Sequence, residues 1–143
     1  MRRWANLVHV PLFTPVVGDY YQGMTVAVPL FERLLKKKMP APEIRDALAA
    51  FYRGERYVEV MPFAPEAPGG DGFLDPLGCN GTNRAEIFVS GRGGQILVLV
   101  RLDNLGKGSS GAAVQILNIM AGLDEGLGLE EKCSHGGDRT WTK

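Results

Sequence analysis

Cysteine and histidine are nearly missing from this 143-residue chain, at two residues each. Two cysteines, Cys79 and Cys133, make no disulfide framework, so a reducing cytoplasm is the expected setting. His9 and His135 add no ligand pair at finger-like spacing, and no metal site is expected. An excess of charge is missing too: 16 basic side chains balance 16 acidic ones, without the electrostatic footprint of a nucleic-acid binder. Lys36-Lys37-Lys38 reads as a solvated helix end. No run reaches the ~18 consecutive apolar residues of a membrane span. The start, Met1-Arg2-Arg3-Trp4, lacks the apolar stretch and small-residue cleavage site of a signal peptide.

The chain does have globular composition, 45% hydrophobic and 22% charged, and a length that suits one domain. Leu7 to Phe13 reads as a short strand ending at Thr14-Pro15. From Tyr20 to Phe31 a longer strand is expected: Met24, Val26, Val28 and Leu30 alternate with smaller residues, the period of a sheet packed on one side. Pro40-Ala41-Pro42-Glu43 opens a helix, with proline and an acid suited to a first turn. Ile44, Ala47, Leu48 and Phe51 follow at helical spacing, and Gly54 stops it. Tyr57 to Met61 reads as a strand. Pro62 to Asn83, with four prolines and five glycines, reads as a long loop. Ala85 to Ser90 and Gln95 to Leu102 flank Gly91-Arg92-Gly93-Gly94, a hairpin signal. A last helix begins near Ser109 with Ala113, Val114, Leu117 and Met120 on one stripe. The expected class is α+β, a mostly antiparallel or mixed sheet with two helices. Residues 1–122 form the domain and 123–143 a polar, glycine-rich tail.

Gly106-Lys107-Gly108-Ser109-Ser110-Gly111 is a literal G-x-G-x-x-G between a strand and a helix, the local context of a dinucleotide fingerprint. A nucleotide-binding unit also needs a second parallel strand after the helix, ending in an acidic residue. Only Leu123-Asp124-Glu125-Gly126 and the tail follow here, which argues against that unit. A smaller claim survives, that a helix N-terminus with Lys107 beside it offers N–H groups to an anion. The rival is a tight turn needing glycine, with Ser109 or Ser110 as N-cap. The residues alone leave both open.

Three motifs, in order, carry a resemblance over about residues 7 to 122. Asp103-Asn104-Leu105-Gly106-Lys107-Gly108 through Gly111 to Gln115, then Asn118, Met120 and Gly122, resembles the signature near the C-terminus of N-acetyl-γ-glutamyl-phosphate reductases. Phe13-Thr14-Pro15, Val17-Gly18 and Gln22-Gly23-Met24 are similar to the start of the second domain in that family's shorter branch. Gly81-Thr82-Asn83 matches its G-S/T-N. The resemblance implies a two-domain enzyme similar to aspartate-semialdehyde dehydrogenase. Its N-terminal NADP-binding domain carries a catalytic cysteine, and its α+β second domain mediates oligomerisation. It implies reduction of N-acetyl-glutamyl phosphate by NADPH through a thioester, in arginine biosynthesis. A thiolate suits that step because it attacks readily and leaves readily.

The departures are as informative. Neither cysteine sits in the family's G-C-Y/F-x-T setting, and the chain begins too late for its H-x-H-x-P-E base. His9 reads as a strand-face residue instead. No catalytic residue is therefore expected here, and the isolated chain is expected to be inactive, being a natural fragment, a split subunit or an artificially expressed piece. What the resemblance does carry over is Asn104 toward the nicotinamide carboxamide of NADP, with Lys107 and Gly108 lining the same crevice and Gln22 on the substrate side. An amide both donates and accepts, which suits a carboxamide. The implied partners are further copies, as a dimer or tetramer, and the missing NADP-binding domain; binding of NADP to this chain alone would be weak or absent. Two rival readings stand beside it: an oligomerisation module with no small-molecule site, and a stand-alone nucleotide binder built on Gly106 to Gly111.

Overall fold

The computed structural model describes residues 8, 10, 12–66 and 73–129. It holds a four-stranded sheet and two α-helices. In chain order these are β1 (Met24–Phe31), α1 (Ala41–Phe51), β2 (Val58–Val60), β3 (Ala85–Arg92), β4 (Gln95–Leu102) and α2 (Gly111–Met120). The strands lie in the order β1-β4-β3-β2. β1, β4 and β3 are antiparallel, and the short β2 pairs parallel to β3. The α+β class expected from the sequence is the one observed.

The β3–β4 hairpin closes on Gly93 and Gly94 at φ +61° and +80°, the two positive angles that a two-residue turn matched to strand twist requires. α1 opens with Pro42 and Glu43 in its first turn. Its Ile44 and Leu48 pack with Ala41 on Val89, Ile96, Val98 and Leu30, which forms the core. Phe51, expected on that stripe, is instead exposed and stacks edge-on against Tyr52.

Register places Val28, Val98 and Val89 side by side on one face of the sheet, with Val98 and Val89 in the core beneath α1. On the opposite face the row Thr25, Arg101, Glu86 and Glu59 runs across all four strands. Glu86 there is buried and ion-paired to Arg101, whose Nε donates to Glu86 Oε2 at 2.9 Å. Residues 73–80 cover this row, with Arg101 Nη1 donating to the Asp75 carbonyl at 2.8 Å.

Some expected boundaries shift. The long strand begins at Met24 rather than Tyr20, because Gly23 at φ +116° breaks the extended path. Residues 8, 10, 12 and 13 carry no strand pairing; the rest of the expected Leu7–Phe13 strand lies outside the described residues, as do His9, Cys133 and His135. The stretch before α2 is a π-helical turn, Gly106–Ser110, where a helix starting near Ser109 was expected. Neither helical start is capped by a serine side chain; the Ser110 hydroxyl donates back to the Leu105 carbonyl at 2.6 Å. Residues 123–129, assigned by composition to the tail, fold back onto α2. Asn118 Nδ2 donates to the carbonyls of Glu125 and Leu127 at 3.2 and 2.8 Å, and Asp124 pairs with Arg56. Among the described residues no helix is long and apolar enough to cross a membrane, and no His, Cys, Asp or Glu cluster could hold a metal ion.

Candidate functional site

The end of β4 delivers Asp103 and Asn104 to a junction of three segments: the entry to β1, the 77–83 loop and the turn before α2. Asp103 is 3% exposed, and its carboxylate is surrounded by donors. Oδ1 accepts the N–H groups of Leu105 and Gly106 at 2.9 and 3.1 Å. Oδ2 accepts the Gly81 N–H at 2.8 Å and Gln22 Nε2 at 3.1 Å. Burial pushes this carboxyl up, but the N–H groups of Gly81, Gly106 and Leu105 outweigh it and hold the acid below its ordinary value.

This arrangement decides what the glycine-rich turn does. Leu105 and Gly106 already donate to Asp103 Oδ1, Gly108 to the Asp103 carbonyl at 2.9 Å, Ser110 to Leu105 and Gly111 to Gly106. The chain's own carboxylate sits where an anion would bind. The glycines are explained by packing: a Cβ on Gly106 would lie 2.7 Å from the Thr82 carbonyl oxygen, and one on Gly111 2.3 Å from Asn83 Oδ1. The tight-turn reading prevails over the anion site.

Asn104 Oδ1 accepts the Gly23 N–H at 2.8 Å, which fixes the amide with its oxygen inward. Its NH2 group has no hydrogen-bond partner among the described residues. Gln22, bonded to Gly23, holds its Nε2 on Asp103 and receives Asn80 Nδ2 at its backbone carbonyl, 3.0 Å away. Gln22 and Asn104 are thus brought together, 81 residues apart in sequence from their respective partners.

Lys107 goes elsewhere. Its Nζ donates to Gln115 Oε1 at 2.8 Å and lies 5.5 Å from the centroid of the Tyr57 ring. Burial pushes its amine down, against the carboxylates of Glu125 and Glu55. Asn83 Nδ2 shares the same Gln115 oxygen at 3.1 Å, and Gln115 Nε2 reaches Glu125. Gly108 stays exposed on the turn, although its inner side faces Leu102 Cδ1, 3.1 Å from an added Cβ. The turn therefore sets Asn104 beside Gln22 and Lys107 beside Gln115.

Cys79 is buried beside Arg101, its Sγ 3.6 Å from the Arg101 carbonyl. Burial pushes its thiol up to about 11, the negative Glu86 adding to the effect and Arg101 opposing it. A thiol so held carries little thiolate at neutral pH. The sequence reading missed the roles of Asp103, Asn83 and Gln115; the signal was present in the motif tracts around them, but motif identity does not say which side chain meets which.

The chain matches the family model described as semialdehyde dehydrogenase, dimerisation domain, over residues 1–104. It is 48% identical over 132 residues to N-acetyl-gamma-glutamyl-phosphate reductase 2 of Nostoc sp. (strain PCC 7120), covering 90% of this chain and 41% of that protein. Against the N-acetyl-gamma-glutamyl-phosphate reductase of Burkholderia cenocepacia (strain HI2424) it is 43% identical over 124 residues, 85% of this chain and 39% of the relative. The chain spans about two fifths of the length of these curated relatives. With its mixed sheet, its two helices and this match over most of its length, the chain belongs to the semialdehyde dehydrogenase dimerisation-domain family.

Proposed function

We propose that this chain is the oligomerising, substrate-side portion of an N-acetyl-γ-glutamyl-phosphate reductase, and that catalysis needs a further NADP-binding part that supplies the nucleophile and the base. The observation that carries this reading is the Asn104 amide. The Gly23 N–H fixes its oxygen and leaves an unpaired NH2 group at the end of β4, a donor suited to a carboxamide oxygen. Gln22 stands next to it with an amide oxygen that holds no partner among the described residues. NADPH, bound mainly by the other part, supplies the hydride. The residues here fit its carboxamide end better than its phosphates, because the amides of Gly106, Gly108, Ser110 and Gly111 in the turn already donate within the chain. This chain's role is to orient and enclose, and soluble cytoplasmic residence is part of the same reading.

Turnover is the test. Purified chain given NADPH and N-acetyl-γ-glutamyl phosphate should show none, and adding a separately expressed N-terminal part of the Nostoc relative should restore it. Turnover by the chain alone would overturn the division of labour. The occupied turn also favours a second reading, an oligomerisation module with no small-molecule site. Titration with NADP to millimolar levels separates the two. A shift of the Asn104 side-chain NH2 resonances supports the first, and unchanged resonances with the N-terminal part present support the second.

A further inference from the structure

Residues 12–18, Leu-Phe-Thr-Pro-Val-Val-Gly, contain no charge, and they run unpaired along the outside of the fold. Leu12, Phe13, Val16 and Val17 are between 73% and 95% exposed, and Tyr21 is 89% exposed. A contiguous apolar tract of this kind is rarely left to solvent. The tract leads directly into β1, which stands at the edge of the sheet with no strand beyond it among the described residues. β1 (Met24–Phe31) is eight residues long and uncharged, with Val26 and Val28 each 44% exposed beyond the reach of α1. Edge strands are ordinarily protected by charges, bulges or covering elements; β1 has Pro29 alone.

We infer that residues 12–21 form an arm that lies along β1 of a second copy of this chain. The inference rests on the proposed oligomerisation and assigns it a surface. Three things favour a second copy as the occupant. Arm and strand both fall within the stretch matched by the dimerisation-domain family. Both are mainly apolar, Asp19 being the one charge of the arm and β1 having none, so each complements the other. They are also adjacent in sequence, so a two-fold axis lets each copy offer an arm and receive one, as an isologous contact requires.

The full 143-residue chain is tested by sedimentation across the micromolar range, beside Val17→Asp and, as a control, Leu117→Asp on α2. Val17 contacts nothing that the fold depends on, so the arm variant should keep the wild-type circular dichroism while its dimer weakens at least about tenfold. Leu117→Asp should dimerise as wild type does. A wild-type dimer that Val17→Asp leaves unchanged overturns the arm. A wild-type monomer at every concentration overturns the oligomerisation reading itself, and the arm with it. An independent readout needs no variant. Chymotryptic cleavage after Phe13 and Tyr21 should slow as protein concentration rises through the association range, and cleavage at a constant rate in a dimerising sample overturns the arm equally.

Discussion

Asp103 Oδ1 accepts the Gly106 N–H at 3.1 Å, so the glycine-rich turn closes on a carboxylate three residues before it begins rather than on a ligand. Replacing that carboxylate is the sharpest test of the junction. Asp103→Asn keeps the shape but turns one oxygen into a donor facing donors. Charge-assisted hydrogen bonds contribute roughly 1.5–3 kcal/mol each and an orphaned buried donor costs a similar amount, so a loss of about 2–3 kcal/mol is expected in urea unfolding. An unchanged unfolding midpoint would contradict the role given to Asp103.

The same residue sets a pH dependence. Its folded-state pKa lies below the ordinary carboxyl value of 3.8, so the unfolded chain takes up the proton first. The stabilisation is complete above that unfolded value and is lost as pH falls through the lower, folded one. Unfolding free energy should therefore decline on the acid side of pH 3.8. In Asp103→Asn that part of the decline should flatten, whereas an identical acid limb in both proteins would exclude Asp103 as its source.

Gly111 separates packing from ligand binding. Alanine at a helix start ordinarily gains up to about 1 kcal/mol over glycine. Here its Cβ would meet Asn83 Oδ1 at 2.3 Å and the Gly106 carbonyl oxygen at 2.9 Å. Overpacking of that kind costs about 1–3 kcal/mol, so Gly111→Ala should lower stability with no nucleotide present. Gly108→Ala, whose tightest contact is the mobile end of Leu102 at 3.1 Å, with the Asp103 carbonyl oxygen at an ordinary 3.4 Å, should be nearly neutral. A stabilising Gly111→Ala would return the glycines to the role of close approach to a ligand.

How far the sequence disclosed this fold depends on the range of the interaction. The Gly93-Gly94 turn and the Pro42 helix start are local backbone preferences, and they are found where composition and spacing put them. Alternation along β1 marks the strand but not its neighbour, since pairing with β4 joins Met24 to Leu102 and period two is silent about partners. The break at Gly23 has the same character: its positive φ accompanies a hydrogen bond to Asn104, 81 residues away. Asp103 looked like one polar residue of a signature, and only the meeting of Gln22, Gly81 and Gly106 around it identifies a hub. The G-x-G-x-x-G spacing misled because glycine serves close packing and phosphate approach by one property, the missing Cβ.

Cys79 should be chemically quiet in the folded chain. With its thiol pushed up to about 11, the thiolate at pH 8 is about one part in a thousand, and the side chain is buried as well. Iodoacetamide should label the Cys79 peptide slowly in the native protein and rapidly in urea, as peptide mass mapping would read it. Fast native labelling would instead mark an accessible, activated thiol and reopen the question of a nucleophile in this chain.

α2 gives the last prediction. Its Ile116, Leu117, Ile119 and Met120 are all more than half exposed, Met120 at 81%, because the helix is anchored through polar contacts rather than through its apolar face. Asn118, buried in the opposite sense, holds residues 125 and 127 by its amide, and Gln115 holds Lys107 and Asn83. An apolar helix face left open on a polar mount binds apolar dyes, so fluorescence of a naphthalene sulfonate dye with the wild-type chain should be high. Adding an N-terminal reductase part should lower it by covering Leu117 and Met120. Asn118→Ala should leave that dye signal in place while amide exchange at 124–129 accelerates, because it cuts the tether and spares the face. If the N-terminal part leaves dye binding unchanged, α2 is not where the two parts meet. If exchange at 124–129 is unaltered in Asn118→Ala, the fold-back is held by Arg56 and Asp124 instead.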